Sequence, residues 1–333
     1  RDEVANAPHA SITTTPALYG EEPAHADALE VVGTVRAKTS REISGVSTVS
    51  VGFEGLDRHL FDPGPCYDKL AETGVKRARI QSGWCLCEPS RGVYDFTELD
   101  AVVSNLCVRG IEPWMMVGFG NTNWMGRCYT PAAVGCMPLY YGPECQAAWE
   151  RFVAKLARRY GDRVRRWEVW NEPDIAYWSG SHEDFCKLYD YAADGLKKAL
   201  PTAKIGGPET TDPAGNRAMD YLKRFLDHCR DGVNYATGKK GAPLDFITFH
   251  AKGSPQVLDD HVRMNIGRQL RNIDLGFEAV ASYPEFKDLP IIIGESDPEG
   301  CAACSVEHHP SNAYRNGTMY SSYSANTWAR TYE

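Results

Sequence analysis

Nowhere in the 333 residues do lysine and arginine collect into a run, and the formal net charge is -8. That excludes the electrostatic footprint of a nucleic-acid or anionic-membrane binder, and it implies a partner that is neutral or only locally charged. No apolar stretch approaches the ~20 residues that cross a bilayer. Residues 1–20 lack the charged-then-apolar order of a secretory signal. No repeat of solenoid period is present. A second cysteine pair is also missing. Cys301-x-x-Cys304, with His308 and His309 behind it, does not complete a zinc spacing, so neither metal nor cofactor is expected.

What is there points to one large domain. The chain is 43% hydrophobic, enough for a single core at a length that α/β barrels often reach. Eleven cysteines is a high and odd number. Several, among them Cys107, Cys186 and Cys229, fall in segments that read as buried helix, where a free thiol packs as a small hydrophobe. Reduced thiols in a cytoplasm are expected, with local disulfides in the 128–145 loop as the alternative for an exported protein. Asn316-Gly317-Thr318 fits a glycosylation sequon, a pattern common by chance.

Residues 1–45 are polar and irregular, with a short β-like patch at 29–35, and read as an arm packed on a main domain of residues 46–333. From there strand and helix alternate. Strands are expected at 49–53, 75–80, 111–119, 164–170, 204–207, 244–249 and 291–295. Helices are expected at 66–73, 96–109, on the Trp149–Phe152–Leu156 stripe ended by Gly161, from a Ser181/Asp184 capping box onward, at 217–229, within 261–281 and within 314–333. Alternation of this kind implies a parallel sheet, and seven such units imply a (β/α)8 TIM barrel rather than an open sheet. An eighth βα unit does not appear in the pattern, which leaves the first and seventh strands as expected edges. The long loop at 120–143 exceeds an ordinary connection and reads as functional.

Two strand ends carry chemistry. Arg165-Arg166-Trp167-Glu168-Val169-Trp170-Asn171-Glu172-Pro173-Asp174 is a β-branched and aromatic segment stopped by a proline that cannot donate to a ladder. Ile291-Ile292-Ile293-Gly294-Glu295 is a second buried strand ending in a carboxylate. A carboxylate at each of two parallel strand tips is what glycosidic cleavage needs, one as proton donor and one as nucleophile or base. Glu168, four residues before Glu172, shares its side of the strand and reads as a structural ion-pair partner deeper in the barrel.

Asn171-Glu172-Pro173, Glu295 and Arg79 in Ala78-Arg79-Ile80 resemble the signature of the glycoside hydrolases built on (β/α)8 barrels, with acid/base and nucleophile on strands four and seven. Glu88-Pro89, the Gly92-Val93-Tyr94-Asp95-Phe96 turn and Thr248-Phe249-His250 are similar to that clan as well, over residues 48–333. Within it the chain looks like family 39, which includes β-xylosidases, α-L-iduronidases and arabinofuranosidase-type activities. The stretch from Gly294 to Cys304 resembles a bacterial branch of β-xylosidases. The resemblance implies a retaining exo-glycosidase acting on a glycoside or oligosaccharide, with a β-D-xylosidase as the first expectation. The alternatives are α-L-arabinofuranosidase, α-L-iduronidase-type or endo-glycanase activity, or a non-catalytic carbohydrate binder, which would be expected to lack one carboxylate. It casts Glu172 as acid/base, Glu295 as nucleophile, Arg79 as the guanidinium that keeps Glu295 ionised, and Asn171 and His250 as sugar contacts. Trp84, Trp124 and Trp178, which follow strands two, three and four, offer aromatic faces for a sugar or for packing. Asn121 either binds hydroxyls or builds its turn. An oligomer is compatible with all of this.

Overall fold

The computed structural model describes residues 33, 36–45, 47–125, 142–300, 313–315 and 317–332. In chain order the elements are β1 (Ser50–Gly52), α1 (Cys66–Glu72), β2 (Arg77–Gln81), α2 (Trp84–Cys87), α3 (Thr97–Val108), β3 (Glu112–Val117), α4 (Thr122–Met125), α5 (Pro143–Tyr160), β4 (Arg166–Val169), α6 (His182–Ala199), β5 (Lys204–Thr210), α7 (Asn216–Asp231), β6 (Phe246–Lys252), β7 (Gln256–Val257), β8 (Val262–Arg263), α8 (Ile266–Ala281), β9 (Ile291–Asp297) and α9 (Thr318–Thr331).

Seven strands pair in parallel in the order β1-β2-β3-β4-β5-β6-β9, curled into a nearly closed barrel with helices outside. β1 and β9 are the two ends of that order. β7 and β8 form a separate antiparallel hairpin. The expected helix within 261–281 therefore starts later, at Ile266, because Val262–Arg263 pairs with Gln256–Val257 and Asn265 takes a left-handed backbone at φ 55° just before the helix.

Side chains fill the barrel. Trp114 of β3 meets Phe246 of β6 edge-on, with ring centroids 6.3 Å apart. Gly206 of β5 leaves the room, since a Cβ there would sit 2.4 Å from the Phe246 ring. Outside, α5 and α6 lay their apolar stripes on the sheet, with Phe152, Leu156, Phe185, Leu188 and Leu196 fully buried. Ser181 caps α6 by the expected box: its hydroxyl accepts from the Asp184 amide and Asp184 accepts from the Ser181 amide at 3.1 Å.

Residues 36–45 lie against the barrel floor. The Ser40 amide donates to Ala71 O at 2.8 Å, and the Lys76 ammonium donates to Ser40 O at 2.5 Å. The earlier β-like patch, most of the 120–143 loop and the Cys301–Cys304 stretch with its two histidines lie largely or wholly outside the described residues, as do Asn316, Cys128 and Cys136. Seven cysteines within the described residues carry free thiols, four of them buried. Among the described residues no helix is long and apolar enough to cross a membrane.

Two ladder irregularities shape the site. The β5–β6 register slips between Pro208 and Thr210, and the β6–β9 register slips between Phe249 and Ala251. A bulge re-aims the extra residue. Here the slips fall at Glu209 on β5 and opposite His250 on β6, beside Gly294 and Glu295.

Candidate active site

β4 ends at Val169, and the next residues turn sharply. Trp170 and Glu172 both take positive φ, 69° and 44°, a conformation that costs non-glycine residues and recurs at functional sites. Neighbouring strands hold the turn, since the Trp170 amide donates to Val117 O and the Glu172 amide to Glu209 O, each at 2.9 Å. Glu172 is thereby lifted over the barrel mouth towards Glu295. One carboxylate oxygen of each residue, with a ring nitrogen of His250, fall within 4.8 Å of one another.

Cations converge on Glu295. Lys252 Nζ lies 2.5 Å from its Oε2, Arg79 donates to its Oε1 at 3.2 Å, and His250 Nδ1 stands 3.7 Å from its Oε2. Burial alone would raise the Glu295 carboxyl, but His250, Lys252 and Arg79 together hold it well below the usual carboxylate range. Lys252 also pairs with Asp297 at 2.7 Å, and although burial works against its charge, Glu295 and Asp297 raise its pKa.

The Arg79 guanidinium, itself 1% exposed, reaches five acceptors. It bonds Glu54 at 2.7 Å, Asn171 Oδ1 at 2.9 Å and Glu295, forms a short ion pair with Glu168, and stands 3.9 Å from Glu209. Glu168 is the deeper ion-pair partner that strand alternation implies. Burial, joined by the charge of Glu209 and only partly offset by Arg79, pushes the Glu168 carboxyl well above its ordinary range. Burial also pushes Glu54 up to about 7 against the pull of Arg79. In Glu209 the balance reverses: Arg79, the Glu168 hydrogen bond and His250 overcome burial and bring it down to about 2.

His250 is fully buried. Its Nδ1 is hydrogen-bonded to Glu172 Oε1 at 2.8 Å and its Nε2 lies 2.7 Å from Glu209 Oε2. It touches the first carboxylate rather than open space, so a direct sugar contact gives way to a contact with the group expected to act on the sugar. Asn171 spends its carbonyl on Arg79 and keeps its amide N–H donors. Glu172, His250 and Glu295 are a grouping of the kind that binds metals, and Lys252 Nζ pairs with the Glu295 Oε2 of that grouping at 2.5 Å.

Of the two readings open for the aromatics, packing describes Trp84 and Trp178. Trp84 is fully buried; it stacks on Phe152 at 5.6 Å and donates to Glu88 at 2.6 Å. Trp178 is buried between Trp170, 5.2 Å away, and Phe185, and donates to Ser181 O. Both belong to the cluster that backs the β3–β4 tips, because the α5 and α6 stripes supply the apolar surface they fill. Asn121 is also fully buried and donates to Trp84 O and Glu88 O, so it builds the turn. Trp124 is only partly buried, donating to Glu88 at 3.0 Å with Arg91 over its ring. The sequence reading passed over Glu54, Glu209, Lys252 and Asp297. A strand ending His250-Ala251-Lys252 puts both side chains on one face, and that spacing was the available signal. Glu209 gave none, since the bulge that aims it inward is not written in residue type. A separate cavity of about 300 Å³, lined by Asp57, Phe61, Tyr67 and Leu99, lies beside α1 and α3 and does not include the carboxylates.

Known proteins agree with this architecture. The family model for glycosyl hydrolases family 39 matches residues 86–329. The chain belongs to that family. Among its relatives, the human α-L-iduronidase is 34% identical over 248 residues, 68% of this chain and 34% of that protein. A β-xylosidase of Caldicellulosiruptor saccharolyticus is 29% identical over 174 residues, 47% of this chain and 31% of that one. The family 39 chain thus spans about a third of the curated relatives it matches. In fold it is similar to a bacterial orthologue of human α-L-iduronidase, with a TM-score of 0.67 at 19% identity, covering 88% of this chain and 46% of that one. A monomeric β-xylosidase from Caulobacter crescentus CB15 has a TM-score of 0.56 at 20% identity, covering 76% and 52%.

Proposed function

We propose that this family 39 chain carries the catalytic barrel of a retaining exo-glycosidase. The observation that carries the reading is the pairing of Glu295, held ionised by Lys252, Arg79 and His250, with a second carboxyl whose oxygen lies within 4.8 Å of the trio's other atoms. That closeness suits a retaining pair, whose carboxyls stand about 5–5.5 Å apart, better than an inverting pair at ~6.5–9.5 Å. In the first step Glu295 attacks the anomeric carbon while Glu172 gives its proton to the departing oxygen. In the second, Glu172 takes a proton from water, and that water cleaves the glycosyl ester on Glu295. The Asn171 amide is placed to donate to the sugar 2-hydroxyl, a contact that strengthens as the ring gains positive charge.

A terminal β-D-xyloside is the first substrate proposed. A sugar bearing a carboxylate, of the α-L-iduronide kind, is the second reading, because Lys252 brings an ammonium to the mouth beside Glu295. Hydrolysis of aryl xyloside, arabinofuranoside, galactoside, glucuronide and iduronide separates these. Replacing Glu295→Gly should abolish turnover, and azide should restore it on an activated aryl glycoside, yielding a glycosyl azide of inverted configuration. Rescue without inversion, or a variant as active as the parent, would sink the assignment.

A further inference from the structure

His250 has a carboxylate on each side. In a neutral imidazole one ring nitrogen carries the hydrogen and the other presents a lone pair. At 2.8 Å from Glu172 and 2.7 Å from Glu209, a lone pair on either side would face a carboxylate oxygen unless a proton lies between. Glu209 is the side that stays an anion. It is fully buried, yet it stands near the Arg79 guanidinium and faces the ring with Oε2. With every carboxyl ionised and no hydrogen on Nε2, Glu168 Oε2, both Glu209 oxygens and His250 Nε2 are buried polar atoms without a partner; a proton on Glu168 and one on Nε2 supply the missing donors. The backbone is built for this contact. The bulge after Pro208 turns Glu209 inward at φ 56°, and its amide is held by the Thr248 hydroxyl at 3.2 Å. Gly294 gives up the space, since a Cβ there would lie 2.2 Å from Glu209 Oε2.

We infer that Glu209 is a positioning residue which, by accepting the Nε2 proton of His250, leaves Nδ1 as the one ring atom that exchanges a proton with Glu172. The inference rests on the proposed acid/base role of Glu172. The Glu172–His250 pair then holds one movable proton. It lies on Nδ1 or on Glu172 Oε1, across a single 2.8 Å hydrogen bond. When the leaving oxygen takes that proton, Glu172 is a carboxylate beside a neutral ring that turns a lone pair towards it. This arrangement draws a proton from the attacking water in the second step and returns the pair to its starting state. No proton is gained or lost over the cycle beyond those of the water.

The other charges that face His250 are Glu295 at 3.7 Å, Arg79, Lys252 on its own strand, Asp212 after β5 and Glu54 after β1. Glu209 reaches Nε2 at 2.7 Å, whereas Glu295 stands nearer Nδ1, so removal of Glu209 acts on the tautomer as well as on the charge.

The test is ring-nitrogen NMR on the ¹⁵N-histidine-labelled chain, with His250→Gln to assign the signal. In the parent chain Nε2 should stay protonated at every pH, and Nδ1 should titrate above the usual imidazole range. Glu209→Gln should lower that midpoint by at least one pH unit and mix the tautomers. Glu209→Asp keeps the charge and should retain the Nε2–H form, which serves if the glutamine variant does not fold. On aryl glycosides, Glu209→Gln should slow poor leaving groups about tenfold and move the alkaline limb of kcat/KM downward. An unmoved His250 in Glu209→Gln, or an Nδ1–H tautomer in the parent, overturns the inference and leaves the glycosidase reading standing. If Glu172→Ala shows no dependence on leaving group, the acid/base role itself falls and takes the inference with it.

Discussion

Glu172 and Glu295 occupy equivalent strand tips, yet their surroundings differ, and the proposed roles rest on that difference. Glu295 meets Lys252, Arg79 and the His250 ring, whereas Glu172 pairs with the His250 ring. Glu172→Ala should therefore lose most on poor leaving groups, by about 10²–10⁴-fold, and little on nitrophenolates, since only the former need general-acid help. A Brønsted plot over a series of aryl glycosides checks this; equal loss on all of them would reverse the roles. Glu54 makes a second prediction. Unfolded, it releases its proton near the ordinary 4.5; folded, near about 7. Between those values the folded chain binds more protons, so this residue makes stability fall as pH rises from about 4.5 to about 7, with no further change above. Glu54→Gln should remove that fall, seen as a Tm advantage over the parent that widens across the window and then stays level. Parallel Tm curves would show that Glu54 does not titrate there. Both strand-tip carboxylates and Arg79 were legible in the sequence because residue type and strand position coincide in them. Glu54 and Glu209 were not, because what makes them members of the site is a bulge and a burial that no single residue announces.

The barrel strands fall where alternation of apolar runs and helical stripes puts them, since the inner strands β2 to β6 are largely buried and leave little freedom of register. The ends were harder. β5 and β6 run to Thr210 and Lys252, past the expected 207 and 249, because Glu209, His250 and Lys252 lie beyond the apolar runs that mark the strands, and ion pairs offset the cost of burying them. The β7–β8 hairpin is too short to show an apolar period, and β8 falls inside the segment expected to hold a helix, 261–281. Packing between elements gives a sharper test. Gly276 of α8 presses on Phe249 of β6, and a Cβ there would lie 2.1 Å from the ring. Gly276→Ala gains helix propensity on its own, but overpacking at a sealed contact costs about 1–3 kcal/mol. A net loss in the urea midpoint at unchanged m-value is expected, and a gain would mean that α8 is free to slide outward.

At the scale of the whole molecule, the sheet order runs from β1 to β9 and the site sits across most of it. Arg79 of β2 binds Glu54 beyond β1, Glu168 on β4, Asn171 just past it and Glu295 on β9, and approaches Glu209 on β5. One guanidinium thus ties the tips of five strands, with His250 of β6 joined through Glu172 and Glu209. Breaking a buried pair of this kind costs about 3–5 kcal/mol, because the partner is left charged and dry. A strand tip that worked loose would strand several such groups at once. Loss of turnover and loss of far-UV circular dichroism in urea should accordingly share one midpoint, and an earlier loss of turnover would contradict this. The same arrangement has a bearing on how such a protein ages under heat or mutation. Heat should therefore yield few copies that keep the fold but have lost the arrangement of the site, so in a heated population each copy should either hold its site together or be a substrate for proteases.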